Sequence, residues 1–512
     1  MTFTFTQPST LGPFKPTLIL HGGAGSLSRA NLPPDLYARY RTSLIRYLTV
    51  TRDLLNSGTS ALDAACHAVA LLEDDPLFNC GRGSVFTESG TIEMEASVMV
   101  SSVDPAGPPA GGIKRAAAVS LIKNTRHPIL LAKEVLLEAD KDGGLGGTST
   151  MHCQLSGREL EEWGWRERAL EKKPDRWFWT KKRWEEHRRG LHHDDTYSFN
   201  NLVASLDAYS ESPFEDDDDS EVDEIPSQGT VGAVCMDSWG NLAVATSTGG
   251  LTNKKAGRIG DTPTIGAGFW AEAWEEESVN VPQLRQRESS RRTSGLGKLP
   301  VLDQILSQAN ESLGSCLNPS QPEHPYQPLN GAPPAYSPSA SASYQPYPSP
   351  LVRHPSSSST QPIRKRRRAV AMSGTGNGDS FLRLNAVRTV AALCRLSGPP
   401  SVSLADAVRT VTGPNGELQR SAGDRWGRTG EGQGGIIGIE VIDEEQEEEG
   451  PQPWVADGFK KQTTEGKMPS SKKKKRGHVV SDFNCGGLFR AYYELDESGV
   501  EMPKVMVFHE EY

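Results

Sequence analysis

The chain has 512 residues, of which 36% are apolar, and a formal net charge of −10. That acidity gives no reason to expect general nucleic-acid binding, and the apolar share is low for a wholly compact protein long enough for two or three domains, so part of the length is expected to be insertion. No apolar run reaches membrane-spanning length, and Met1 to Pro8 lacks the charged and apolar regions of a secretory signal, so a soluble cytoplasmic protein with no membrane partner is expected.

In chain order, a short apolar strand over Thr17 to Leu20 runs into the glycine turn His21-Gly-Gly-Ala-Gly25, and apolar residues recur at helical spacing over Pro34 to Leu55 and Ser60 to Glu73. Val119 to Ile122 reads as strand and Pro128 to Glu138 as helix. Strands and helices are therefore mixed, without the Gly-x-Gly-x-x-Gly setting of a dinucleotide fold. Between Gly157 and Thr196 stand Trp163, Trp165, Trp177, Trp179 and Trp184 among Lys, Arg and Glu. Charges of mixed sign suit a helix packing its tryptophans on the main domain better than a single-stranded nucleic-acid surface. His192-His193-Asp194-Asp195 is assigned no metal, because adjacent residues seldom share the geometry one ion needs. Seven cysteines show no metal spacing and no disulfide framework; Cys66, Cys80, Cys235 and Cys394 read as small buried side chains.

Glu215 to Glu224 is nearly all acidic and reads as a solvated, disordered tract. It leads into Gln228-Gly229-Thr230-Val231-Gly232-Ala233-Val234. A cut before Thr230 would give that residue a free α-amine beside its own hydroxyl, so that nucleophile and base share one residue. After Thr230 the sequence reads strand, turn at Asp237 to Asn241, strand, then Thr246-Ser-Thr-Gly-Gly250. A hairpin with equal arms returns Thr248 close to Thr230, where a second hydroxyl could bond the first. Gly257-Arg-Ile-Gly-Asp261 and the glycine-rich Ser373-Gly-Thr-Gly-Asn-Gly-Asp379 follow. Insertions are expected over about 275–362, rich in Pro, Ser and Tyr, and about 443–476. Arg364-Lys-Arg-Arg-Arg368 and Lys472-Lys-Lys-Lys-Arg476 close them, either as nuclear-import signals or as solvated charge on disordered loops.

These motifs, together with Pro76-Leu-Phe-Asn79-Cys-Gly-Arg-Gly83, Ile92-Glu-Met-Glu-Ala-Ser97 and Phe483-Asn-Cys-Gly-Gly-Leu-Phe-Arg490, resemble the plant-type asparaginase and isoaspartyl peptidase family of N-terminal nucleophile hydrolases. The resemblance implies an α+β fold, the four-layer αββα sandwich, built from an N-terminal chain 1–229, with a linker over about 158–228, and a C-terminal chain 230–512. It implies self-cleavage between Gly229 and Thr230, with Thr230 as nucleophile and Thr248 bonding its oxygen. The Thr375 hydroxyl and Gly376 N–H are implied as oxyanion donors, with Asn79 as a further polar contributor. Gly374 departs from the family pattern, which usually has a hydroxyl residue there. Arg258 and Asp261 are implied as the clamp for the carboxylate and ammonium of an aspartyl substrate. The family's sodium site would fall on the carbonyls of Leu72, Glu73, Asp75, Phe78, Cys80 and Arg82; no other cofactor is implied. The cleaved chains are expected to stay associated and to pair into a dimer.

Three functions are weighed. One is an amidohydrolase acting on L-asparagine or β-aspartyl dipeptides. The second is an endopeptidase of the threonine aspartase kind, for which the long insertions and basic runs speak. Asp261 speaks against it, since an internal peptide has no ammonium to pair. The third is a non-catalytic scaffold whose insertions bind partners, against which Thr230, Thr248 and Thr375 stand together.

Overall fold

The computed structural model describes residues 12–104, 115–139, 152–191, 229–278, 364–398, 400–444 and 474–512. The first half contains β1 (Phe14–Lys15), β2 (Thr17–Gly25), α1 (Pro34–Asn56), α2 (Ala61–Asp74), β3 (Met94–Ser102), β4 (Arg115–Ile122), α3 (Pro128–Ala139), β5 (Gln154–Ser156), α4 (Arg158–Glu167) and α5 (Lys181–Gly190). The second half contains β6 (Val231–Met236), β7 (Asn241–Thr248), β8 (Phe269–Ser278), β9 (Arg364–Gly376), α6 (Gly378–Leu384), α7 (Ala386–Leu396), α8 (Leu404–Thr412) and α9 (Glu417–Arg420). It ends with β10 (Gly434–Glu444), β11 (Lys475–Arg476), β12 (His478–Phe483), β13 (Gly487–Leu495) and β14 (Glu501–Met506). The class is mixed α+β.

An eight-stranded sheet runs β14-β13-β2-β6-β7-β3-β4-β5, and a four-stranded sheet runs β12-β10-β9-β8. Neighbours are antiparallel except β4 and β5. In β6, Ala233 and Cys235 join the apolar cluster under α1–α3, whereas Val234 and Met236 join a second cluster shared with Phe269, Ala371, Ile437 and Ile439 of the smaller sheet. Alternate residues thus face opposite sides, and because both sides are covered the strand reads as an unbroken apolar run. A third cluster joins Val370 and Met372 of β9 to Val387 and Val390 of α7 and to Val408 of α8.

The helices begin where local chemistry favours it. Pro34 occupies the first turn of α1, while Ser60 and Ser403 accept the N–H of Asp63 and of Asp406 to cap α2 and α8. The glycine run of His21 to Gly25 differs from expectation: it continues β2, pairing with β13 as far as Gly25 opposite Gly487, with a bulge between Phe489 and Arg490. Cys66, Cys80, Cys235 and Cys394 are buried free thiols, as read from their neighbours.

Residues 158–190, taken from the sequence as the start of the linker, are folded. Trp184 is buried, Trp163, Trp177 and Trp179 pack on the helix-side cluster, and the Trp165 indole N–H donates to Thr125 Oγ1 at 3.1 Å. Buried Glu161 accepts the N–H groups of Lys123, Asn124 and Thr125, fastening this segment to the turn after β4. The tetrad His192 to Asp195 and the acidic tract lie outside the described residues.

The basic run at Arg364 is neither a loop nor solvated at its end. It opens β9, and β8 continues to Ser278, so the insertion between them begins later than residue 275. Arg366 and Arg367 stand opposite Glu276 and Glu275 and pair with them, while Arg368, 1% exposed, donates from Nε to Glu440 Oε1 at 2.6 Å and stacks on Trp274. Acidic partners at matching register let the charges enter the sheet. These three side chains are therefore not displayed as an exposed basic segment. Of the second run, Lys475 pairs with Asp443 and Arg476 with Glu501, on β11. Among the described residues no helix is long and apolar enough to cross a membrane.

Because Glu440 would be left buried and unpaired, Arg368→Ala is expected to lower stability to urea by about 3–5 kcal/mol. Arg368→Met combined with Glu440→Met removes both charges, and the denaturation midpoint should recover most of that loss.

Candidate active site

The Asp237 carboxylate closes the β6–β7 hairpin: Oδ1 accepts the N–H of Trp239 at 2.9 Å and of Asn241 at 3.0 Å, and Oδ2 accepts the Asn241 side-chain amide at 2.9 Å. The register that follows pairs Val231 with Ser247 and, on the next strand, Thr248 with Glu95. The open end of three adjoining strands thus carries Thr230, Thr248 and Glu95, which line one pocket with Gly229, Arg258, Asp261 and Gly376.

Within that pocket the hydroxyl pairing differs from expectation. Thr230 Oγ1 lies 2.9 Å from Thr262 Oγ1, whereas Thr248 Oγ1 accepts the Gly250 N–H at 2.9 Å. In the uncut chain the hydroxyl partner of Thr230 is therefore Thr262. The reason is local: Thr248 is held by the turn that follows it, while Ser97 Oγ donates to the Thr262 carbonyl at 2.7 Å and fixes Thr262 beside Thr230.

Gly229 is wedged against the other candidate residues. A Cβ built there would lie 2.6 Å from Thr375 Oγ1, 3.0 Å from Gly376 N and 3.2 Å from the Ala24 carbonyl oxygen. Glycine is required by this close approach rather than by a left-handed backbone, for Gly229 is not at positive φ. Thr375 Oγ1 accepts the Ala24 N–H at 3.2 Å, which leaves its own proton to donate. Gly374, where the family pattern has a hydroxyl residue, has no room for a side chain: its Cβ would stand 2.5 Å from Phe381 Cε1.

Asn79 is placed differently from the reading that made it an oxyanion contributor. Its Nδ2 donates to the Gly250 carbonyl at 2.8 Å, its Oδ1 accepts the Val85 N–H at 3.1 Å, and its carbonyl accepts the Gly249 N–H at 3.0 Å. It supports the Gly249–Gly250 turn and does not line the pocket. His21, opposite Gly232 in the sheet, has no role in the sequence reading; burial lowers its imidazole pKa to about 3, so it is neutral, and Nε2 lies 2.6 Å from Ser373 Oγ.

Arg258 and Asp261 both face the pocket, but they are not bonded to each other as a simple ion pair. Arg258 Nη2 pairs with Asp379 Oδ2 at 3.2 Å. Asp261, 5% exposed, is pushed up to about 7, first by burial and then by the Glu95 carboxylate, with Arg258 opposing. Glu95, 1% exposed, accepts the Gly260 N–H at 2.8 Å, and burial raises its carboxyl as well. Thr262, Glu95 and Asp379 were not assigned roles from the sequence. Thr262 follows Asp261 directly, and Glu95 sits inside a matched motif, so position alone marked them.

The loop from Leu72 to Arg82 is the candidate sodium site. The Leu72 carbonyl accepts the Asp75 N–H at 3.3 Å, that of Glu73 accepts the Arg82 N–H at 2.7 Å, and that of Asp75 accepts the Phe78 N–H at 3.2 Å. The Leu72 carbonyl also accepts the Cys80 thiol at 3.3 Å, whereas the Glu73 and Asp75 carbonyls have a second lone pair of the hard-oxygen kind that such a cation takes. Among the described residues no cluster of side chains has a metal-ligand arrangement.

The raised Asp261 carboxyl has a consequence for stability. Between the unfolded value of about 3.9 and the folded value of about 7, the folded state keeps a proton that the unfolded state has released, so stability falls as pH rises across that window. Adding Asp261→Asn to a Thr230→Ala background should flatten this decline, read as the urea midpoint at pH 4 and pH 7. Equal slopes in the two proteins would contradict the assignment.

The asparaginase family matches residues 14–275, about half of the chain. A putative isoaspartyl peptidase/L-asparaginase of Dictyostelium discoideum is 38% identical over 289 residues, which cover 54% of this chain and 76% of the relative. The isoaspartyl peptidase of Salmonella typhimurium is 35% identical over 257 residues, covering 50% and 70%. The isoaspartyl peptidase/L-asparaginase of Bos taurus is 35% identical over 257 residues, covering 50% and 68%. With the matched region spanning the pocket strands β2, β3, β6 and β7, the chain belongs to the asparaginase family, the N-terminal nucleophile hydrolases that its motifs resemble.

Proposed function

We propose that the protein is a self-cleaving threonine hydrolase acting on L-asparagine and β-aspartyl dipeptides. The observation that carries the reading is that Gly229 and Thr230 share one pocket with Arg258 and Asp261. Relatives named as isoaspartyl peptidases and L-asparaginases support it.

In the first phase the Thr230 hydroxyl attacks the Gly229 carbonyl, the peptide becomes an ester, and water releases residues 1–229 from 230–512. The Thr375 hydroxyl and Gly376 N–H, which flank Gly229, are the donors offered to the developing oxyanion. In the second phase the same hydroxyl, now beside its own amine, attacks the side-chain amide or β-linked carbonyl of the substrate. The amine serves as base and then as acid. Arg258 takes the substrate carboxylate, and Asp261 takes the ammonium once ionised. Thr248, whose oxygen is held by Gly250 in the uncut chain, is the residue proposed to meet the Thr230 oxygen after the cut.

The three apolar clusters support stacking of helices, two sheets and helices as the four-layer αββα sandwich. Strands from the two sides of the cut alternate in the larger sheet, β2 standing between β13 and β6, and β7 beside β3, which supports continued association of the two chains. Pairing of such units into a dimer, sodium on the Leu72 to Arg82 loop and a cytoplasmic location are part of the proposal and rest on the resemblance and on composition.

Wild-type protein should run as two fragments on a denaturing gel, the later beginning Thr-Val-Gly-Ala, and Thr230→Ala should remain one chain. A fragment starting elsewhere would sink the mechanism. Processed Thr375→Val should lose about 2–4 kcal/mol of transition-state stabilisation, seen in kcat far more than in KM. Assayed on L-asparagine, a β-Asp dipeptide and an N-blocked peptide with internal aspartate, wild type should hydrolyse the first two only. Cleavage of the blocked peptide alone would establish the endopeptidase instead.

A further inference from the structure

The substrate pocket contains more buried acid than a single clamp residue provides. Asp261 and Glu95 come from different elements, the loop after β7 and the strand β3, and both line the pocket while only 5% and 1% exposed. Asp261 Oδ2 and Glu95 Oε2 are buried with no hydrogen-bond partner among the described residues. The cations nearby are engaged in part: Lys254 donates from Nζ to the Glu93 carbonyl at 2.6 Å, and Arg258 pairs with Asp379. Glu95 nonetheless lies close to Arg258, for a Cβ at Gly260 would be 2.9 Å from both Glu95 Oε2 and Arg258 Nη1.

A buried carboxylate oxygen without a donor is costly, by about 1–3 kcal/mol or more for a charged group, and two of them on residues that line one cavity form a site that a cationic donor would relieve. A primary ammonium brings three N–H donors and no acceptor. One carboxylate oxygen can satisfy one of these donors; two satisfy two and surround the charge on separate sides. We propose that Glu95 is a specificity-determining residue, the second carboxyl of the ammonium subsite, with its Oε2 and Asp261 Oδ2 accepting two of the N–H groups of the substrate's α-ammonium. The inference deepens the proposed function and rests on it. A purely structural Glu95 would serve only the Gly260 N–H, which its other oxygen already accepts at 2.8 Å.

The test is competitive inhibition of L-asparagine hydrolysis by L-aspartate and by succinate, which differ only in the ammonium, using processed wild type, Glu95→Gln and Glu95→Asp. Wild type should prefer L-aspartate. Glu95→Gln keeps the shape and can still accept the Gly260 N–H, and its preference should fall about tenfold or more, as expected when a hydrogen bond to a charged group is lost. Glu95→Asp keeps the charge and should retain a larger share of the preference than Glu95→Gln. If Glu95→Gln weakens both inhibitors equally, or neither, Glu95 does not read the ammonium and the proposal falls. Should Glu95→Gln fail to mature, Glu95→Ala takes its place, and an L-aspartate preference in it unchanged from wild type would overturn the proposal. Wild type that hydrolyses neither L-asparagine nor a β-Asp dipeptide would instead overturn the functional reading, and the subsite with it.

Discussion

Asp237 closes the β6–β7 hairpin with both carboxylate oxygens, and the antiparallel register that follows sets where Thr230 and Thr248 emerge. A slip by one residue would turn every side chain of β6 to the opposite face. Here that exchange is resisted twice, because one face packs under helices and the other against the second sheet. The same register is handed on to β3, which brings Glu95 opposite Thr248. A short polar turn, some distance along the strands, thus determines the composition of the pocket at their other end.

Buried charge is treated in two ways in this fold. In the smaller sheet Arg368 enters the interior with Glu440 and the Val402 carbonyl as partners and Trp274 against its face, so its donors are satisfied. At the pocket, Asp261 and Glu95 each keep one oxygen without a donor among the described residues; burial and then the Glu95 carboxylate hold Asp261 above the ordinary range, and burial holds Glu95 there. Paired charge costs the fold little until one partner is removed, whereas a carboxylate oxygen buried without a donor carries its desolvation cost outright.

Much of this was legible in the sequence. Helical spacing located α1, α2 and α3 within a few residues, and the alternation around Asp237 to Asn241 gave the hairpin, because these signals are local. Arg258 and Asp261, which the resemblance singled out, both line the pocket. What escaped depended on contacts distant in the chain. Thr262 stands beside Thr230 with its carbonyl held by Ser97, Asn79 is drawn under the Gly249–Gly250 turn, and Arg366, Arg367 and Arg368 of β9 are drawn into ion pairs because Glu275, Glu276 and Glu440 arrive beside them. The resemblance put residues 158–190 in a linker, whereas the tryptophans read from the sequence as packing on the main domain do pack on the helix-side cluster and make the segment part of the core.

The alternation of strands from the two sides of Gly229 also fixes what the proposed cut would do to the molecule. Before a cut, the eight-stranded sheet closes within one covalent chain, and loop closure is intramolecular. Afterwards β2 would be held between two strands belonging to another polypeptide, and separating the pieces would mean breaking ladders on both of its edges. Reassembly from unfolded pieces would become a second-order event whose balance shifts with concentration. A matured molecule would then owe its persistence to a high barrier against opening rather than to ready refolding, and heating past that barrier would be a one-way passage.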